Sequence, residues 1–391
     1  MPKFSAIIQS IPEYPFSKVS NISRQIEQRD HVSVINARIG MPDKEAPQTF
    51  KEYLAKYVLQ EGSTLGYPVD SHPSRGIPEL IEAIIEHYHQ KYDVKITPEN
   101  IAVNSWCKEV LHNMVRMFGP GKVLVPDPVY PAYEGAVVLS SNTIEHVKTQ
   151  KTSKWLPQFQ LKDKDAVALY FCDPNNPTGA VADLNYYQSL YREMKANDIC
   201  GIFDKAYKDY VFDDETKPVS ITQVPGLMDY GYEIVSFSKH FNLVGVGLGW
   251  VVSSKENIDR WLKFTGHYSQ GVEWYKQKAG AEALTNPAIK SEMAEYLKIV
   301  KERGIIFAKG LNELGLKVEI PRATPYLWVE VPQGYNDEDF VLNKIISEAH
   351  VAFMPGSYFG SNGKGYFRTT LFLDKNQIQE ALGRINRIRS W

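Results

Sequence analysis

Residues 233–250, EIVSFSKHFNLVGVGLGW, set a lysine among small hydroxyls and glycines. The apolar pair Ile234–Val235 leads into Ser236-Phe237-Ser238-Lys239, and Gly245, Gly247 and Gly249 follow. This pattern reads as a strand that delivers a lysine at its end. A desolvated lysine gives up its proton more readily, and its neutral amine attacks an aldehyde carbon. Ser236 and Ser238, with bare backbone N–H groups beside them, suit a phosphate. Together these features suggest pyridoxal phosphate (PLP), which carries both an aldehyde and a phosphate, held by the lysine as a Schiff base; the plainer reading of such a stretch by itself is a solvated lysine in a Ser/Gly-rich turn.

That chemistry sets further demands. The pyridine nitrogen stays protonated only beside a buried carboxylate, the ring oxygen needs a donor, and the ring face needs an aromatic. The carboxylate of an amino-acid substrate calls for a cation, best supplied by the planar fork of an arginine. The stretch CDPNNPTGAV (172–181) places Asn176 just beyond an apolar run, and FDKAYKDY (203–210) places Asp204 at the end of the next, with Tyr207 three residues on. Singly, each has a plainer reading: N-P and T-G are turn pairs, and an aspartate at a strand end often caps.

The elements that must position these residues are visible between about 100 and 255. Short apolar runs, Ile101–Val103, Val123–Val125, Ala166–Phe171, Cys200–Phe203, Ile234–Phe237 and Leu248–Val252, alternate with helical patterns such as Lys108–Phe118 and Leu184–Ala196. Such alternation predicts an α/β fold with a mostly parallel sheet covered on both faces. Ligands in such folds bind outside the carboxyl ends of the strands. Asp127, Asn175, Asn176, Asp204 and Ser236–Lys239 all fall there. Helical patterns also cover Ser17–Arg29, 48–60, 78–92 and most of 256–315. YLWVEV (326–331), a helix at 337–349, AFMPG (352–356), YFRTTLF (366–372) and a helix at 375–389 form an α+β tail.

Composition narrows the function classes. The 391 residues are 43% hydrophobic and 23% charged, with a net charge of −2, so there is no electrostatic case for nucleic acid or an anionic membrane. Three cysteines, Cys107, Cys172 and Cys200, are too scattered for a disulfide framework or a metal cage, so no metal is expected. No apolar run approaches the roughly 18 residues of a membrane span. The N-terminal stretch, broken by Pro12 and Pro15, does not read as a signal peptide. A cytoplasmic protein is expected.

NNPTG, then D-x-x-Y, then S-x-S-K, in that order, resembles the class I/II aminotransferase family of fold-type I PLP enzymes. Within it the chain is most similar to the LL-diaminopimelate aminotransferase branch. Ile39-Gly40-Met41-Pro42-Asp43, Gly66-Tyr67, VPDPVYPAY (125–133), PGSYFG (355–360) and GYFR (365–368) extend the resemblance over essentially the whole chain.

The resemblance implies a large PLP-binding domain at 46–285 with a seven-stranded sheet. A smaller α+β domain would comprise 286–391, with an arm and part of that domain at 1–45. It implies that Lys239 forms the Schiff base and, once freed by substrate, acts as the base at Cα, leading to a quinonoid. Asp204 would pair with the pyridinium nitrogen, Asn176 and Tyr207 would bond the ring oxygen, and Tyr130 would stack on the ring. Ser236, Ser238 and the amides around Cys107-Lys108 would hold the phosphate. Tyr67 would reach the phosphate of a second copy, implying a homodimer with shared sites. Arg368 would clamp the substrate carboxylate, helped by the backbone near Gly40.

The chain departs from the family pattern twice. The family usually carries a phosphate-binding arginine where this chain has Gly247, and a glycine where it has Trp106. Losing one charge-assisted contact costs on the order of 1.5–3 kcal/mol unless another cation replaces it; Lys108 and His240 are the candidates, and the plainer reading of His240 is a solvated neighbour of the functional lysine. Fold-type I relatives without that arginine include dioxygen-using PLP enzymes of the L-arginine-oxidase type. The sequence therefore allows two outcomes, transamination to a 2-oxo acid or oxygen-dependent oxidation. Glu13, Arg38, Asp70 and His72 are the loop residues that stand as contacts for a substrate side chain, and the two acids weakly favour a cationic one.

Overall fold

The computed structural model describes residues 3–391 apart from 12, 61–74, 160, 162, 163, 214 and 390. Its main sheet has seven strands: β1 (Ile101–Asn104), β2 (Lys122–Asp127), β3 (Thr143–Lys148), β4 (Ala166–Cys172), β5 (Cys200–Asp204), β6 (Gly231–Ser236) and β7 (Gly249–Val252). Their order is β1-β7-β6-β5-β4-β2-β3. From β6 to β3 all neighbours are parallel, and β7 is antiparallel to both of its own.

Successive residues of the central strands enter different cores. Val123, Ala168, Ile202 and Ile234 pack with Val110, Leu111, Tyr133 and Trp261 on one face. Leu124, Leu169 and Phe203 pack with Tyr187, Leu190 and Met194 on the other. With both faces covered, these strands read as unbroken apolar runs. β3 is the exception and was not legible as a strand. Its TIEHVK is half-buried to exposed throughout, because an edge strand carries charges that discourage further pairing.

Asp127, Cys172, Asp204 and Ser236 end β2, β4, β5 and β6, so four parallel strands deliver their carboxyl ends to one edge. Asp127 does not serve the site there. It is buried and accepts from Ser361 Oγ at 2.8 Å and the Asn362 amide at 2.9 Å, pinning that loop.

A second, antiparallel sheet has the order β9-β10-β8, with β8 (Tyr326–Glu330), β9 (Met354–Pro355) and β10 (Tyr366–Thr370). Arg368 lies at its centre, opposite Trp328 and Met354. Ile35–Asn36 pairs with Val351–Ala352 and opens the segment 37–43. Asp43 is clamped by Arg303 of the long helix Pro287–Glu313 at 2.8 and 2.9 Å, with Tyr296 donating at 2.8 Å. Among the described residues, no helix is long and apolar enough to cross a membrane, and no group of three or more acidic, His or Cys side chains is arranged to hold a metal.

Candidate active site

β6 ends at Ser236, whose hydroxyl accepts the Ser238 amide at 3.0 Å and starts one helical turn, Phe237–His240. Phe237 anchors that turn, 5.2 Å from the ring of Trp250. Lys239 leaves it with its amine donating to the Gly40 carbonyl at 2.5 Å. Burial, with the Arg368 guanidinium adding to it, lowers the amine to about 8, against an opposing pull from Asp204. Gly40 is where the chain must lack a side chain, since a Cβ there would lie 1.9 Å from the Tyr326 hydroxyl.

Asp204 is buried at the end of β5. Tyr133 donates to one carboxylate oxygen at 2.6 Å and the Ala206 amide to the other at 3.0 Å. Burial raises the carboxyl despite those bonds and despite Lys205 and Lys239. Two donors leave a carboxylate with unused acceptor positions. Arg368 is 1% exposed. It donates to Asn176 Oδ1 at 2.8 Å and to the Arg38 carbonyl at 2.5 Å, while its Nε has no partner among the described residues. Its guanidinium lies 4.1 Å from the Tyr326 ring centroid and 4.8 Å from that of Phe359.

These groups line one cavity of about 420 Å³, within the range of small-molecule sites. Of the residues singled out from sequence, Lys239, Asp204, Tyr207, Asn176, Tyr130, Ser236, Ser238, Cys107, Lys108, Arg368 and Gly40 all line it. Tyr67, Asp70 and His72 lie outside the described residues. The Tyr207 hydroxyl meets that of Tyr326 at 2.8 Å, and Tyr130 meets Tyr14 at 3.0 Å. The helix Cys107–Met114 points its first turn at the cavity, and the amides of Cys107 and Lys108, which open it, have no acceptor within their own helix.

Several expectations change. His240 does not stand in for the missing cation: it lines a different cavity, with its Nδ1 3.5 Å from Asp209. Burial holds it at about 4, so it is neutral. Lys108 does line the cavity, with its amine 4.6 Å from the centre of the Tyr14 ring. The Arg38 side chain turns away to Asn36 and Ser20, and only its carbonyl meets Arg368. Glu13 lines a neighbouring cavity. The two departures from the family pattern prove to be one contact. Gly247 sits at φ +66°, and a Cβ there would lie 2.6 Å from the Trp106 indole.

Sequence reasoning missed Tyr14, Phe16, Tyr133 and Tyr326. All four are aromatics in a chain rich in them, on segments remote from the lysine. YLWVEV marked Tyr326 as a strand residue and gave no sign of which face it would take.

The donor set fits PLP. An amine for the aldehyde, a buried carboxylate with acceptor capacity for the ring nitrogen, and hydroxyls with a helix N-terminus for the phosphate line one cavity. With this fold, they define a PLP-dependent enzyme of fold type I. Residues 34–385 match the family model of aminotransferase class I and II, and the chain belongs to that family. The LL-diaminopimelate aminotransferase of Moorella thermoacetica is 30% identical over 388 residues, 97% of each chain. Transaminase BacF of Bacillus subtilis is 31% identical over 393 residues, 98% of this chain and 96% of that one. The apo-BacF structure matches with a TM-score of 0.92 at 30% identity, over 100% of this chain and 99% of that one. The chain is thus a PLP-dependent aminotransferase, with an amino acid and a 2-oxo acid as its substrates.

Proposed function

We propose that Lys239 moves the proton at Cα of a free L-amino acid whose carboxylate is held by Arg368, and that the amino group passes to a 2-oxo acid. The observation that carries this is the convergence in one cavity of an amine lowered to about 8 and a buried arginine whose Nε has no partner among the described residues. When bound, PLP supplies the aldehyde that captures the amino group and a ring that draws electrons from Cα.

An amine near 8 is roughly one-tenth neutral at pH 7, where an ordinary lysine at 10.5 is almost wholly charged, so Lys239 can both accept and return a proton. Gly40 orients it by accepting its N–H. Asp204 holds the proton on the ring nitrogen. Asn176 and Tyr207 serve the ring oxygen, Tyr130 the ring face, and Ser236, Ser238, Cys107 and Lys108 the phosphate. Arg368 presents its fork with the guanidinium fixed against Tyr326 and Phe359. The arm closes the cavity through Tyr14 and Phe16, which fits a small domain of 1–45 and 286–391 folding over a large domain of 46–285. Tyr67 of a second copy would complete the phosphate site in a homodimer.

Asp204 is the sole carboxylate among the described lining residues, and Tyr14, Phe16 and Ile39 add apolar and aromatic surface to the lining. That lining favours an uncharged, apolar or aromatic substrate side chain over a cationic one.

A spectral screen of the purified enzyme with the twenty amino acids, with and without oxygen, tests this reading. A true donor moves the cofactor band toward the ultraviolet, and a 2-oxo acid restores it without oxygen. Oxygen uptake with peroxide from the amino acid alone would return the dioxygen-dependent reading. Failure of every 2-oxo acid to restore the band would defeat transamination.

A further inference from the structure

A second cavity, of about 330 Å³, shares no lining residue with the first. Phe241, Leu284, Met293 and Leu297 give it an apolar wall, and His87, Asp209, His240 and Lys290 a polar one. Among the described residues Asp209 is its one lining carboxylate, and it is already engaged. Lys208 donates to its two oxygens at 3.0 and 2.8 Å, Lys91 donates as well, and His240 stands 3.5 Å away. Lys208 also contacts His87 Nε2 at 3.0 Å.

The nearby acids bring no relief. Glu233 takes the Tyr88 hydroxyl and the Ile221 amide, and Asp43 is taken by Arg303 and Tyr296. Lys290 adds a further ammonium at an exposed position on the rim. Lys91 and Lys208 offset Asp209 from outside the described lining, so Lys290, whose amine reaches the Gln90 side-chain oxygen at 3.4 Å, is the lining cation left for an anion, beside a wall of hydrocarbon.

The cavity also touches the catalytic turn. His240 follows Lys239 in the chain, and Tyr210, which lines the cavity, donates from its hydroxyl to the Lys239 carbonyl at 3.0 Å. Any occupant rests against both.

We propose that this cavity is a second ligand site, for a small carboxylic acid with an apolar tail, and that its occupancy is felt at Lys239. The carboxylate meets Lys290 on the rim and the neutral imidazoles of His87 and His240, and the tail lies against Phe241, Leu284, Met293 and Leu297. The site stands apart from the amino-acid site and does not depend on the substrate reading above.

Hexanoate is the probe. Calorimetric titration of holoenzyme carrying Arg368→Met, which removes the carboxylate clamp of the first cavity, should show one saturable hexanoate site per chain. Hexanol, with the same tail and no charge, should bind at least tenfold more weakly. Lys290→Glu, at an exposed position that leaves the fold intact, should weaken hexanoate at least tenfold, and Met293→Trp should abolish it. In enzyme with Arg368 intact, saturating hexanoate should shift the cofactor absorption band, and Lys290→Glu should move the midpoint of that shift by the same factor. No saturable binding without Arg368 overturns the site. So does binding indifferent to Lys290→Glu, or equal binding of hexanol. A band unmoved at saturation overturns the link to Lys239.

Discussion

Lys208 is buried and Lys239 half-buried, and loss of solvent is the largest influence on each amine, bringing both from 10.5 to about 8. Their partners differ. Lys208 is fixed on the Asp209 carboxylate, much as Lys205 is fixed on Asp173 at 2.7 Å with Tyr187 beside it. Lys239 faces a neutral carbonyl, that of Gly40, with Arg368 adding a like charge. A buried lysine with its own carboxylate is committed to holding structure, because either charge alone would be costly in the interior. A desolvated lysine that meets only a carbonyl loses little by giving up its proton or forming a covalent bond, and so it is the one available for chemistry.

Exchanging the two lysines should break the comparison most sharply. Lys239→Met should lower turnover by about 10⁴-fold while leaving the fold intact. Lys208→Met should leave kcat/KM within about tenfold yet lower folding stability by about 3 kcal/mol, since Asp209 loses its buried partner. Single-turnover kinetics and urea unfolding of both variants separate these effects. Equal losses of activity would show that the distinction drawn from their partners is wrong.

Next in size is Arg368→Lys, which keeps the charge and removes the fork. It should cost about 10–100-fold in kcat/KM, mostly through KM for the amino acid. An unchanged KM would place the substrate carboxylate elsewhere.

The depressed amine of Lys239 also predicts a pH dependence in the cofactor-free chain. Between about 8 and its ordinary 10.5, the unfolded chain holds a proton on this amine that the folded chain has lost. Stability from this group therefore rises with pH through that window and is lowest below it. Urea unfolding of the cofactor-free chain against cofactor-free Lys239→Met should show a difference on the order of 1–3 kcal/mol growing from pH 8 to 10.5. Parallel curves would mean that the amine is not depressed.

The smallest expected effect concerns Trp106 and Gly247. Gly247→Arg should destabilise the chain by about 1–3 kcal/mol, because a Cβ at φ +66° strains the backbone and meets the indole. Trp106→Gly should recover part of that loss. A double-mutant cycle with no coupling would show that the two residues are independent.

The sequence carried the main chemistry well because the family's motifs sit at strand ends. NNPTG, Asp204 and the Ser-x-Ser-Lys turn each follow an apolar run that could only be a buried strand. What it hid was contact between remote segments. Nothing in PEYPF told that Tyr14 would meet Tyr130, or in YLWVEV that Tyr326 would meet Tyr207 and Arg368. His240 shows the same limit: adjacent in sequence to Lys239, it projects from a helical turn into another cavity. β3 escaped notice because its edge position imposes charge where the central strands demand hydrocarbon.

Residue type and local period alone thus determined a sheet of buried strands, a lysine at the end of one of them, and a carboxylate and an amide at the ends of two others. Those properties follow from burial and spacing along the chain. Which of Lys205, Lys208 and Lys239 keeps a proton that can move, which cavity His240 enters, and why Gly247 tolerates no side chain were decided only in three dimensions. Each depends on which distant carboxylate, carbonyl or indole the fold brings within a few ångströms, and periodicity carries no record of that.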